Sequence, residues 1–153
     1  MPRKFLILLL AALAPVALAQ PQQLSLAEGE FAAQRAKIEQ DLNDGKTYVE
    51  LSSADRAKVM ESLNRMSSTL QGVESVDQLS EDQKVLVFND QEVVNTILTQ
   101  AAEDSQLVCE RTRPTGSNRP VTRCETVAER RRRRENDQQN LQRAQRGIGP
   151  PNN

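Results

Sequence analysis

The two cysteines of this chain, Cys109 and Cys124, constrain its fold more than any other feature. They lie symmetrically about Gly116 and Ser117, within a cluster of turn-forming residues at 114–118. Stretches rich in β-branched residues flank this cluster on both sides, which is the pattern of a β-hairpin. The sequence therefore predicts a hairpin over residues 107–125 in which Cys109 and Cys124 face each other and form a disulfide.

The turn of this hairpin can be built with two or four loop residues. A two-residue loop would place the cysteines at a hydrogen-bonded ladder site and put Pro120 where a backbone N–H is required. A four-residue loop places the cysteines in the closer, non-hydrogen-bonded pair and turns the Pro120 nitrogen outward, although Pro114 then lacks a donor beside the loop. The preferred prediction is the four-residue loop, consisting of Thr115, Gly116, Ser117 and Asn118.

The first 19 residues have the three parts of a secretory signal peptide. Two positive charges precede an unbroken apolar run over 5–14, and small residues follow at 17–19. Pro15 makes this stretch shorter than the roughly 18–20 apolar residues that a transmembrane helix requires. We therefore expect export without a transmembrane anchor, to the periplasm or beyond the cell, and such oxidising compartments permit the disulfide.

Removing residues 1–19 leaves 134 residues that contain only three aromatic side chains, so the core must be thin and aliphatic. Capping patterns and apolar residues at helical spacing predict three helices within an acidic region, 20–106. The predicted caps pair Ser25 with Glu28, Ser52 with Asp55, and Ser80 with Gln83, and Leu24 is predicted to lie just outside the first helix as a staple residue. The predicted apolar faces comprise Phe31, Ile38 and Leu42; Val59, Leu63, Met66 and Leu70; and Val85, Leu86, Val93, Val94, Ile97 and Leu98.

A fourth helix is predicted after the hairpin, because Thr126 and Glu129 form another capping box. This basic helix spans 126–146, and a tail at 147–153 is predicted to be disordered. Residues 20–108 hold 16 acidic and 7 basic residues, whereas 109–153 hold 5 acidic and 11 basic residues. The fold class is therefore mainly α: a small helical bundle with an appended disulfide-closed hairpin and a basic C-terminal helix.

Five consecutive arginines near the start of this helix are the most distinctive feature of the region after the signal peptide. Cations in the first turns of a helix are disfavoured by the helix dipole, so the run invites a functional explanation. Arginine forks suit phosphate and carboxylate groups of an anionic envelope component or an acidic protein. The alternative is a solvated helix that pairs with the acidic bundle of the same chain. The run consists of Arg130, Arg131, Arg132, Arg133 and Arg134.

The chain contains no histidine, which removes the commonest general base and metal ligand. Carboxylate pairs such as Glu81 and Asp82 fall in predicted first turns of helices, where acids are favoured without any catalytic role. The cysteine spacing differs from that of redox-active dithiols, and a metal site would need ligands from elsewhere in the chain. We therefore expect no enzyme activity, no cofactor and no metal, with a hydrolase or redox enzyme as the remaining enzyme hypothesis.

The hairpin residues also resemble those of a known group of proteins. Cys109, then Thr115-Gly116-Ser117, then Cys124 and a helix start are similar to a Cys, Thr-Gly-Ser, Cys motif in small secreted proteobacterial proteins without an assigned function. The stretch 86–109 also resembles longer members, and the resemblance runs from about Leu42 to Arg133. It implies export and a paired-cysteine hairpin, and it implies no activity.

Taken together, these patterns predict an exported, non-catalytic interaction protein with a protein or an anionic envelope component as its partner. The second hypothesis is a polyanion-binding envelope or stress factor that acts through the arginine run. Nucleic acid is disfavoured as a partner, because no aromatic residue lies near the run to stack a base.

Overall fold

Residues 23–26 and 31–147 are described by the computed structural model of the chain. The predicted signal peptide, Glu28 of the first predicted cap and the tail beyond Gly147 lie outside the described residues. The mainly helical fold with a single hairpin is confirmed in the described part. Its elements are α1 Phe31–Asn43, α2 Ser53–Thr69, a 3₁₀ turn at Val76–Gln78, α3 Glu81–Ser105, β1 Leu107–Thr112, β2 Val121–Thr126 and α4 Val127–Gly147.

The predicted caps of α2 and α3 are present. Ser52 Oγ accepts a hydrogen bond from the backbone N–H of Asp55 at 3.0 Å. At α3 the capping box is complete, because Ser80 Oγ accepts from the Gln83 N–H and the Gln83 side chain accepts from the Ser80 N–H. These bonds satisfy N–H groups that have no partner within the helix, so both helices start where the sequence predicts.

The core lies mainly between α2 and α3, and α1 covers one side of it. It is aliphatic, as the composition predicts, and Tyr48 is the only buried aromatic residue in the described part of the chain. Its most deeply buried side chains belong to Leu24, Val59, Leu63, Met66, Val87, Val94 and Leu98.

The predicted apolar face of α3 is partly wrong. Val94 and Leu98 are buried, but Val85, Leu86 and Val93 are exposed. The buried face instead carries Val87, Asp90, Val94, Leu98, Ala101 and Ser105. These residues follow one another at intervals of three or four and lie on one side of the helix, whereas the sequence offers apolar residues on several sides. Packing against α2 selected this side.

Leu24 lies outside α1, as predicted, and it is also a residue of the core. Its side chain is almost fully buried. Its backbone N–H donates to Asn95 Oδ1 at 2.7 Å, and its carbonyl accepts from Asn95 Nδ2 at 3.0 Å and from Gln91 Nε2 at 2.9 Å. The next residue, Ser25, is held in the same way by Gln34 of α1. Amide side chains thus hydrogen-bond the backbone of Leu24 and Ser25, as a neighbouring strand would do in a sheet.

The hairpin has the predicted register, and its disulfide is formed. Cys109 pairs with Cys124 across the antiparallel strands, with a Cα–Cα distance of 4.0 Å and an S–S distance of 2.03 Å. The Val127 N–H donates to the Gln106 carbonyl at 2.9 Å. Since hydrogen-bonded and non-hydrogen-bonded pairs alternate along an antiparallel ladder, the cysteines three residues further on form a non-hydrogen-bonded pair. The preferred prediction, in which the cysteines form a non-hydrogen-bonded pair, is confirmed.

The loop itself is longer than the four residues predicted. Strand pairing stops at Thr112 and Val121, and the hydrogen-bonded turn is formed by residues 114–117, in which the Ser117 N–H donates to the Pro114 carbonyl at 3.0 Å. Gly116 has a φ of +85°, a conformation that L side chains rarely adopt. The ladder stops early because its next hydrogen-bonded site would fall on Pro114, which has no N–H to donate. Asn118 therefore lies beyond the turn.

Candidate functional site

Helix α4 begins at a junction where the bundle and the hairpin meet. The predicted capping box is present: Thr126 Oγ1 accepts from the Glu129 N–H at 3.0 Å, and Glu129 Oε2 accepts from the Thr126 N–H at 2.9 Å. The same Thr126 hydroxyl donates to Glu50 Oε1 at 2.6 Å. Glu50 lies between α1 and α2, and its N–H donates to Ser105 Oγ at the end of α3. One hydroxyl therefore ties the cap of α4 to the bundle.

Two arginines of the run bind acids of the bundle. Arg131 donates to both carboxylate oxygens of Asp104, at 2.9 and 3.0 Å. Arg132 donates to both oxygens of Glu50, at 2.8 and 3.3 Å. Both pairs have the bidentate geometry that suits a guanidinium and a carboxylate. The basic helix is thus held against the acidic bundle of its own chain.

Two further arginines of the run bind the hairpin. Arg130 Nε lies 3.1 Å and Arg133 Nη2 lies 2.6 Å from Glu125 Oε1, and a more distant contact of 3.8 Å joins Arg130 to Glu110. Glu125 follows Cys124 in β2, so these ion pairs fix the angle between the hairpin and α4.

The pKa values of the acids agree with this arrangement. The hydrogen bond from Arg132, together with that from Thr126, lowers the pKa of Glu50, and the hydrogen bond from Arg131 lowers the pKa of Asp104. Both carboxylates therefore remain charged at a pH below their usual range, and the pairs persist there.

Four arginines of the run therefore hold α4 against other parts of the same chain, which agrees with the alternative of a solvated helix that pairs with its own acidic bundle. We refer to residues 130–133 and their carboxylate partners as the clamp. Arg134 alone among the five has no acidic partner within residues 23–26 and 31–147. The clamp also accounts for cations in the first turns of a helix, because the first four arginines of the run are each matched by a carboxylate from another element.

We expect substitution within the clamp to lower stability more than substitution outside it. In the double variant Arg131→Gln and Arg132→Gln, the melting temperature should fall by about 2–4 °C, because both bidentate pairs with the bundle are lost. The matched control is Arg134→Gln with Arg143→Gln, which removes the same charge from arginines without an acidic partner and should change it by roughly 1 °C or less. Thermal unfolding followed by circular dichroism measures both, and equal shifts would refute the clamp.

A second basic surface lies at the end of the hairpin, and the sequence analysis did not single it out. We define the hairpin tip as residues 111–123, which contain four arginines and no acidic residue. All residues of the tip are exposed, and none of its arginines forms an ion pair within the described part of the chain. The absence of acids over this stretch was the signal that could have found it. The arginines are Arg111, Arg113, Arg119 and Arg123.

The second half of α4 projects from the body. Residues 134–146 are exposed on every side, and they extend the helix by roughly 20 Å beyond the clamp. The only large apolar side chain there is Leu141, which is itself exposed. We refer to the hairpin together with residues 134–146 of α4 as the basic arm.

Leu86, one of the exposed apolar residues of α3, borders a surface groove between α2 and α3. The groove has a volume of about 860 Å³, with Ala57, Met60 and Leu86 among its lining residues. One wall carries the ion pair of Arg65 with Asp90, in which Nη2 lies 2.5 Å from Oδ1. Because Arg65 and Asp90 neutralise each other, neither charge is left unpaired to bind a substrate in the groove.

The candidate carboxylate pair, Glu81 and Asp82, lies in the first turn of α3. Of the carboxylates considered in the sequence analysis, Glu81 forms an ion pair with Lys84 at 2.9 Å, next to the cap of α3. Within the described ranges there is no group of three or more His, Cys, Asp or Glu side chains that could hold a metal ion. No helix in these ranges has the length and apolar character needed to cross a membrane.

Comparison with known proteins yields no match. No family model, no curated protein and no solved structure matches this chain. The resemblance to small secreted proteins stays a prediction. The candidate surface is therefore defined by its geometry and charge alone.

Proposed function

We propose that this protein is an exported, non-catalytic interaction protein whose contact surface is the basic arm. The observation that carries the proposal is the arm itself: a hairpin and a helix that expose nearly all of their side chains, including arginines without an acidic partner in the described structure. Side chains held away from the core in this way contribute little to folding. These exposed side chains are therefore available for contact with a partner.

The way in which the arm is mounted supports this role. The Thr126 cap, the bond to Glu50 and the bidentate pairs of Arg131 and Arg132 attach its base to the bundle. The disulfide between Cys109 and Cys124 closes the hairpin. An arm that is fixed before binding loses less conformational entropy when it meets a partner.

Export is the second element of the proposal. The disulfide agrees with an oxidising compartment, since such bonds are rare where thiols are kept reduced. The predicted signal peptide would deliver the chain to that compartment. The periplasm is the compartment that we propose.

The arginine run is not the contact site in this proposal. A polyanion at Arg130, Arg131, Arg132 or Arg133 would have to displace carboxylates of the same chain, among them Glu50 and Asp104. Such competition weakens binding, because each displaced carboxylate loses its own bidentate or charge-assisted bonds.

Site-specific photocrosslinking in the exporting cell tests the proposal. A photoreactive residue replaces Thr115 in the hairpin, Gln139 in α4 or, as the matched control, Gln40 on the exposed side of α1. We expect crosslinked adducts from the two positions in the arm and none from the position on α1. Adducts from α1 alone, or no adducts from the arm, would contradict the arm as contact surface.

A further inference from the structure

We infer that the hairpin tip binds the phosphate headgroups of a lipid surface. The inference rests on the proposed function and names the ligand of one part of the basic arm. It assigns the contact to Arg111, Arg113, Arg119 and Arg123 rather than to the arginine run.

The tip has a composition that suits contact with phosphate. Its four arginines and no acids give it a charge of +4 over 13 residues. The turn adds exposed polar donors in the hydroxyl groups of Thr115 and Ser117. Guanidinium groups bind phosphate oxygens in pairs, and hydroxyl groups add neutral hydrogen bonds to the same oxygens.

The positions of the arginines suit an extended array of anions rather than a single ion. Arg111 is paired with Thr122 and lies on the same face of the hairpin as the disulfide. Arg123 stands opposite Glu110 in the register of the two strands, and it lies on the other face of the hairpin. Arg113 and Arg119 flank the turn. Since these side chains start from different faces and from both sides of the loop, each can reach a separate phosphate of a headgroup layer.

The tip lacks what a protein partner or a nucleic acid would use. Protein interfaces bury an apolar centre inside a polar rim, and apart from two prolines the tip has a single large apolar side chain, that of Val121. Bound single strands stack on aromatic side chains, and the chain has no aromatic residue after Phe88. A headgroup layer requires neither feature, because contact at the level of the phosphates is electrostatic.

Vesicle flotation with the oxidised chain 20–153 tests the inference. Vesicles of phosphatidylcholine with phosphatidylglycerol should bind the protein, and pure phosphatidylcholine vesicles should not. Binding should weaken steeply as salt is added, because the attraction is screened. The triple variant Arg111→Gln, Arg113→Gln, Arg119→Gln should bind about 100-fold more weakly, since each basic residue near an anionic surface contributes roughly a factor of five.

The matched control carries the same change of charge on the bundle, outside the basic arm. Lys37→Gln, Lys46→Gln and Lys58→Gln remove three exposed cations there, and vesicle binding should stay within about threefold. Equal losses in the two triple variants would overturn the inference, because net charge alone would then explain binding. Circular dichroism and a thiol assay verify that each variant is folded and oxidised.

Two competitors distinguish the source of the anion. Inorganic phosphate at matched ionic strength should not displace the protein from vesicles, and displacement would indicate a site for a single phosphate. Polyglutamate that binds as tightly as vesicles and with the same loss in the tip variant would indicate an acidic protein partner. Either result overturns the lipid inference. Absence of vesicle binding with crosslinks retained on the arm refutes this inference alone, whereas crosslinks on α1 alone refute the proposed function.

Discussion

Replacement of Leu98 by alanine is expected to lower the free energy of unfolding by about 2–5 kcal/mol. Leu98 is 1% exposed and packs in the core where α3 meets α2. The substitution removes three carbon atoms from this core, and the surrounding aliphatic side chains refill the cavity only in part. Since a small domain has a total stability of roughly 5–15 kcal/mol, this one change should remove a large share of it.

Leu86 on the same helix provides the matched control. It is 61% exposed, so Leu86→Ala should change the free energy of unfolding by about 0.5 kcal/mol or less. Chemical denaturation of both variants measures the difference. Similar losses would mean that α3 buries the side that the sequence pattern predicts instead of the side seen in the structure.

Removal of the disulfide is expected to unfold the hairpin while the helical bundle remains. In the double variant Cys109→Ser and Cys124→Ser, the hairpin loses on the order of 3 kcal/mol, because the cross-link closes a loop of about 15 residues in the unfolded chain. A two-stranded hairpin is marginal in water even when it is otherwise well formed. The core residues lie outside the hairpin, so the helices should persist.

Amide hydrogen exchange tests this prediction residue by residue. Protection of the strand amides, for example those of Val108 and Glu110, should be lost, whereas protection in α2 and α3 should be retained. The control is Arg111→Ser with Thr122→Ser, which places two serines in the next non-hydrogen-bonded pair on the same face and leaves the cross-link intact. If strand protection persists without the cysteines, contacts with α4 and not the disulfide hold the hairpin.

Local features of the chain are those that the sequence predicts well. The caps at Ser52, Ser80 and Thr126 each depend on two residues three positions apart, and all three are present. The register of the hairpin follows in the same way from the two cysteines and Gly116. These interactions lie within a few residues of each other or across one turn, so the remainder of the fold does not alter them.

The features that were not predicted correctly depend on contacts between parts of the fold rather than on local sequence. The α3 sequence places apolar residues on several sides of the helix, and the packing of α2 decided that Val87 is buried and Leu86 is exposed. Leu24 lies outside the first helix as predicted, but its contact with α3, where Asn95, 71 residues away, binds its backbone, was not predicted. The loop lengthened because Pro114 fell on a hydrogen-bonded site, a consequence of the parity set at the base of the hairpin.

The sequence by itself determined the helices, the hairpin, its cross-link and the separation of acidic from basic residues, because these depend on local hydrogen bonding, spacing and composition. Only the tertiary structure decided which arginines are available. Folding brings Glu50 and Asp104 from distant parts of the chain against Arg132 and Arg131, and it brings no acid of the described residues into an ion pair with the arginines of the tip. The run of five adjacent charges is thereby largely neutralised, and the scattered arginines of the hairpin become the exposed cations.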